Sequence, residues 1–326
     1  MLGAFTAGKC RLNTAPRPFR FGVNLAAPLP GRSLADSARL VEDCGYAVLS
    51  CPDHLDHPDS PLEPMVLLAT AAAATSALEL QPLVMANDFR HPVLLAKQAA
   101  TLDLLSEGRF SLGIGAGWYG PEYQSAGIDF HRPGVRIARL REALAVIRGL
   151  HGAEPFDFSG DYYRIEALQG LPRPRRNPLP LLIGGSGPRM LAFAAACADT
   201  VALNLGLPIG MPRPRGATPY ATITDMKLQW IRQAAAARAT EVEIQSTIFA
   251  GAVTDGDPDS AITPLAQLLQ VPAASLRGCP HVLAGSAEDC IEQLLGWRER
   301  WGISYVTVPA VSAESFAPVV AALRGR

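Results

Sequence analysis

Long apolar runs are missing from this chain. None approaches the roughly 18 residues that a membrane-spanning helix requires, and residues 1–18 hold no continuous apolar core of the signal-peptide kind. A cytoplasmic protein with no membrane contact is therefore expected. Net charge is missing too. The 29 Lys and Arg against 30 Asp and Glu leave −1, too weak a field to gather nucleic acid or an anionic membrane. A small molecule is the default partner. The six cysteines, Cys10, Cys44, Cys51, Cys197, Cys279 and Cys290, form no C-x-x-C pair, and the six histidines are dispersed, so metal-ligand spacing is absent. Reduced, mostly structural thiols and no metal centre are expected.

What the chain has is hydrophobic residue, 48% of 326, enough to bury a large core. Residues 1–18, rich in Pro, Arg, Gly and Thr, are expected to be a loose arm, with a single domain over 19–326. Apolar runs predict strands at 19–24, 47–51, 80–85, 110–114, 179–183, 200–203, 243–250 and 304–308. Helical sequence separates them. Ser33 and Asp36 have capping-box spacing before a helix reaching Cys44, and Ser286 and Asp289 repeat that spacing. The helix at 134–150 carries Ile137, Leu140, Leu144 and Ile147 on one face, with Arg136, Arg139 and Arg148 expected to turn away. Residues 156–165 read as a hairpin turning at Ser159-Gly160-Asp161. Eight strands, each followed by helix, predict an α/β fold, a closed (β/α)8 TIM barrel. Insertions at 119–133, 152–178 and 206–223 are candidate lids.

Active sites of such barrels lie at the C-terminal ends of the strands, so residues just past strand ends are the candidates. Asp53 and His54 follow the second strand. An imidazole there can exchange a proton near neutral pH while a neighbouring carboxylate fixes its tautomer; the plainer alternative is a polar surface turn. Gly113, Gly115 and Gly117 alternate where the fourth strand leaves the sheet, which fits either a ligand close to the backbone or a crowded barrel corner. Gly184-Gly185-Ser186-Gly187 end the fifth strand, and Pro188 opens a helix. Bare amides at that helix start form a phosphate cradle, or else an ordinary tight turn. The run Pro172-Arg173-Pro174-Arg175-Arg176 is either an electrostatic latch for a negative cofactor tail or a solvated loop.

Five segments carry a resemblance. FRFGV at Phe19, PDHL at Pro52, NDFRHPVLLAKQAATLDLLSEGRFSLGIGAGW from Asn87, IGGSGPR at Ile183 and SYVTV from Ser304 together resemble the bacterial luciferase-like superfamily of flavin- and deazaflavin-dependent oxidoreductases. The resemblance implies a (β/α)8 barrel holding an isoalloxazine-type ring at its C-terminal mouth. It implies that Asp53 and His54 face the ring, with His54 as proton donor or acceptor. Leu83, Val84 and Ala86 match the bulged strand, often with a non-prolyl cis peptide, that backs the ring. Gly115, Ala116, Gly117 and Trp118 match the loop beside the cofactor tail, and Gly185, Ser186 and Gly187 the phosphate contacts. Relatives with a sugar-phosphate substrate carry Glu where this chain has Trp118, which speaks against that substrate class. Glu122, a few residues on, either replaces that Glu or, as is favoured, is solvated; Asp88 and Arg90 are expected to pair, and His91 to cap a helix.

The implied activities are three. The first is an F420-dependent oxidoreductase, the second an FMN-dependent monooxygenase using reduced flavin and oxygen, and the third a non-catalytic flavin-binding relative. In each, a small-molecule ligand is the partner. Related barrels commonly pair through their helices, so a homodimer through exposed apolar positions of residues 62–74 is expected.

Overall fold

The computed structural model describes residues 16–58, 60–206 and 218–326. The strands in chain order are β1 (Arg20–Asn24), β2 (Val48–Cys51), β3 (Glu79–Pro82), β4 (Met85–Ala86) and β5 (Leu112–Gly115). A hairpin, β6 (Phe156–Ser159) and β7 (Arg164–Leu168), precedes β8 (Leu181–Gly185), β9 (Thr200–Leu203) and β10 (Glu243–Thr247). Then come β11 (Ala250–Val253), β12 (Val282–Gly285) and β13 (Ile303–Pro309). Nine of these form one parallel sheet in the order β3-β2-β1-β13-β10-β9-β8-β5-β4. Since β3 and β4 are halves of one strand interrupted at Leu83–Val84, the two ends of that order meet. Leu80 N donates to Arg109 O at 2.8 Å and Ser111 N to Leu80 O at 3.0 Å, which closes the barrel at eight strand positions.

Helices α1 (Leu34–Asp43), α2 (Pro64–Ala74), α3 (Pro92–Leu105), α4 (Gly120–Ser125) and α5 (Pro133–Leu150) belong to the first half of the chain. The second half carries α6 (Pro188–Cys197), α7 (Tyr220–Ala235), α8 (Pro258–Leu268), α9 (Ala287–Trp301) and α10 (Ala313–Leu323). Their apolar faces cover the sheet, so strands such as β2, β5 and β9 are buried along their whole length. The expected caps form: Ser33 accepts from Asp36 N, and Ser286 and Asp289 make a reciprocal box.

One pole of the barrel is plugged by charge. Arg20, Glu79 and Glu243 are the first residues of β1, β3 and β10, and Arg20 reaches the two carboxylates at 2.6 and 2.7 Å while lying over the Tyr305 ring. The other pole, where the strands end, lacks this cluster.

Four expectations change. The third strand does not run through 80–85 but breaks at Leu83–Val84. The seventh ends at Thr247, and Ala250–Val253 leaves the barrel to pair with β12, a strand the periodicity did not reveal. Arg136 is buried rather than turned away, because its guanidinium donates to the carbonyl oxygens of Ala116 and Gly117. The Pro172–Arg176 run lies at the closed pole, ahead of β8, where Arg176 binds Asp103 and Phe110 O, so it is no latch at the mouth. The arm expected over 1–18 and the lid over 206–223 fall mostly outside the described residues.

Candidate active site

His54 stands three residues beyond the end of β2, at the open pole, and what fixes it is Glu122. Its Nδ1 lies 3.2 Å from both carboxylate oxygens, and the amide of Leu55 donates to Glu122 Oε2 at 2.9 Å. A carboxylate only accepts, so in the neutral imidazole Nδ1 carries the proton and Nε2 the lone pair. Glu122, expected to be solvated, is instead 4% exposed, because α4 folds it back against the loop after β2. Around the imidazole stand His57, Trp118 and Tyr119, with ring centroids 5.0, 6.1 and 6.5 Å away. Trp118 itself is 63% exposed and forms the rim.

Asp53 does not orient His54. Its carboxylate receives Arg90 through two bonds of 2.6 and 3.0 Å, and the amide of Ala86 at 2.8 Å. Arg90 reaches on to Glu63 at 2.8 Å, the residue that caps α2. Asp53 thus braces β4 and the loop beyond it, and the expected Asp88–Arg90 pair is absent: Asp88 binds Arg139 at 3.0 Å. His91 does cap α3, accepting from Val93 N. The Leu83–Val84 peptide is cis, at the position the family resemblance implies. Val84 packs over two glycines: a Cβ at Gly115 or Gly184 would stand 3.0 or 3.2 Å from its methyl carbon.

The other alternating glycines answer to protein atoms. A Cβ at Gly113 would meet Pro82 O at 1.9 Å, and at Gly117, whose φ is +72°, it would meet the Tyr123 hydroxyl. Gly187 differs, since no atom of the described residues lies within 4 Å of a Cβ built there. It is the N-cap of α6 without a capping side chain, so the first-turn amides behind Pro188 have no acceptor inside the helix.

Beside this opening Lys227 of α7 donates to Ser186 O at 2.6 Å, Ser186 Oγ at 2.8 Å and Asn204 O at 3.2 Å. The Ser186 oxygen is occupied as acceptor, so its proton is free to be given outward. Burial pulls the Lys227 pKa down to about 8, and no carboxylate of the described residues offsets its charge. Next to it His281 is held neutral, its pKa lowered to about 4 by burial; it accepts from Leu205 N at 3.1 Å and donates from Nδ1 to Thr247 O at 2.8 Å. Open space, unclaimed amides, a free hydroxyl proton and a buried ammonium suit a phosphate.

Both loops follow the C-terminal ends of parallel strands of one barrel, so His54 and the Ser186 cradle share a pole. Sequence reasoning missed Glu122 as the partner of His54 and missed Lys227 altogether. The first carried no local signal. The second did, because Lys227 lies three residues after Thr224 and four before Ile231, on the buried face of α7.

The family model described as luciferase-like monooxygenase matches residues 17–211, more than half of the chain. Among curated proteins, an uncharacterized protein of Mycobacterium tuberculosis is 32% identical over 187 residues, 51% of this chain and 65% of the relative. The chain thus spans just under two thirds of that relative's length. The F420-dependent glucose-6-phosphate dehydrogenase of Kineococcus radiotolerans is 30% identical over 259 residues, covering 77% of this chain and 73% of the relative. Two solved structures share the fold. An F420-dependent secondary alcohol dehydrogenase in complex with an F420-acetone adduct aligns over 94% of this chain and 99% of its own, with TM-score 0.76 and 19% identity. EDTA monooxygenase from Chelativorans sp. BNC1 aligns over 94% of both chains, with TM-score 0.74 and 14% identity. With the barrel, the interrupted third strand and these matches together, the chain belongs to the luciferase-like monooxygenase family.

Proposed function

We propose that this protein is an F420-dependent oxidoreductase that passes a hydride between the deazaflavin and a small organic substrate. The observation that carries the reading is the His54 imidazole, fixed through Nδ1 by buried Glu122 on the pole that also holds the Ser186 cradle. Similarity to F420-dependent dehydrogenases supports the choice of cofactor. When bound, the deazaflavin supplies the hydride chemistry, and the protein supplies position and electrostatics.

Each residue has a part. The Ser186 hydroxyl, the amides behind Gly187 and the nearby Lys227 charge hold the phosphate. Leu83, Val84 and Ala86 back the ring, Gly115 and Gly184 give Val84 room to do so, and Asp53 keeps that strand in place through Ala86 N. His54 Nε2 takes or gives the substrate proton that accompanies the hydride, with Glu122 stabilising the imidazolium. Trp118 and Tyr119 shield the site from water at the rim.

Anaerobic titration of apo-protein is the test. Saturable F420 binding, with FMN bound weakly or not at all, is the expected result. Tight FMN binding without F420 binding overturns the proposal in favour of a flavin monooxygenase. His54→Ala is expected to lower turnover by about 10²- to 10⁴-fold while F420 still binds. A cellular role untouched by that change would instead mark a non-catalytic cofactor-binding protein.

We also place the protein in the cytoplasm, as a homodimer. Val66 on α2, 68% exposed, and Leu94 on α3, 51% exposed, offer apolar contact. Sedimentation as a monomer at micromolar concentration would remove the dimer.

A further inference from the structure

Helices α5 and α6 lie side by side and point the same way. At the first turns an Arg189 guanidinium nitrogen stands 3.4 Å from where a Cβ on Gly134 would lie, Arg141 lies over the Phe193 ring midway, and Arg148 donates to Cys197 O at 3.0 Å at the far end. Between their first turns, at the open pole, is a cavity of about 420 Å³ lined by Arg132, Pro133, Gly134, Val135, Tyr162 and Arg189. Among the described residues no carboxylate lines it. Neither Arg132 nor Arg189 makes an ion pair among the described residues, whereas Arg20, Arg90, Arg139 and Arg176 all do. Two unmatched guanidinium groups facing one concavity repel each other and invite an anion.

The position says which anion. Arg189 follows Gly187 by two residues, so the cavity adjoins the phosphate cradle. A ligand with its ring near His54 and its phosphate on Ser186 continues outward into it. FMN ends at its phosphate, as a monoester. In F420 the phosphate is a diester, and the chain runs on into a lactyl and oligoglutamate tail that bears several carboxylates.

We propose that the cavity between the first turns of α5 and α6 is a tail subsite, in which Arg132 and Arg189 bind carboxylates of the cofactor beyond its phosphate. This rests on the F420 reading above. It also returns a cationic clamp to the mouth of the barrel, the role for which the Pro172–Arg176 run stands at the wrong pole.

Equilibrium titration by deazaflavin fluorescence at low salt, without substrate, compares oligoglutamyl F420 with its des-glutamyl form. The wild-type chain is expected to bind the tailed form about tenfold more tightly, as two partly exposed charge pairs allow. Arg132→Gln with Arg189→Gln should close that gap to within about twofold, as should about 1 M salt, where the screening length is roughly 3 Å. The des-glutamyl form should bind alike to both proteins. Both side chains are exposed and unpaired, so the substitutions leave the core untouched. Equal binding of the two forms to the wild type, or a gap that survives the double substitution, overturns the tail subsite and leaves the F420 reading standing. Failure of either form to bind, with FMN bound instead, overturns both.

Discussion

Glu122 and His54 work as one unit, because the carboxylate determines which nitrogen of the imidazole is free. Glu122→Gln keeps an acceptor for Nδ1 but removes the charge that supports an imidazolium, so turnover should fall by about 10²-fold with little change in cofactor affinity. A pH–rate profile that keeps its wild-type shape in this variant would separate Glu122 from the proton transfer. Lys227 gives a second prediction at this scale. Burial depresses its pKa to about 8, so below that pH the folded state carries the charge at a cost, and the cost fades as pH rises toward the unfolded value. Anion binding has the opposite preference, since it needs the charged form. Cofactor affinity should therefore be full below pH 8 and fall above it, by at most about tenfold per unit. In Lys227→Met that slope should disappear. Titrations of the two proteins at matched pH values cancel the cofactor's own ionisations, and parallel curves would show that Lys227 does not act on the phosphate.

Among the elements, the strand interrupted at Leu83–Val84 has the least tolerance. On one side Gly113 presses against Pro82 O, where an added Cβ would stand 1.9 Å away from backbone that cannot rotate aside. Gly113→Ala is expected to lose about 3 kcal/mol or more, read from chemical denaturation, because β3 and β5 must separate. On the other side, Asp53 is buried with Arg90, and removing one partner strands the other. Asp53→Ala should cost about 3–5 kcal/mol and weaken cofactor binding through the loss of the Ala86 tether. A variant as stable as the wild type would mean that Arg90 is satisfied by Glu63 alone. The elements also mark where sequence reading stopped. Apolar runs located every barrel strand, since strands covered on both faces read as continuous hydrophobic residue. They did not separate β3 from β4 or find β12. The first is one apolar run broken only by backbone geometry, and the second owes its strand form to pairing with β11.

For the whole molecule, the expected link between cofactor and stability is direct. A ligand that binds only the folded barrel adds about 2.7 kcal/mol at a hundredfold excess over its Kd, so F420 should raise the melting temperature. The riboflavin-like deazaflavin lacking phosphate should leave it unchanged, because the cradle at Ser186 and Gly187 would have nothing to hold. An equal rise with the phosphate-free ring would show that the ring pocket, not the cradle, is the anchor. The amino-acid sequence alone determined the barrel, its strand count, and the placement of His54 and the Ser186 loop just past the ends of their strands. Periodicity, capping and strand-end motifs are local, and each is written in adjacent residues. Only the tertiary structure decided which charges meet. It put Glu122 rather than Asp53 on His54, gave Asp53 to Arg90, brought Lys227 beneath Ser186, and left Arg132 and Arg189 unpaired. Those pairs join residues from 37 to 68 positions apart, as Arg90 and Asp53 or His54 and Glu122 do, and no spacing rule specifies a contact that exists only once the barrel has closed.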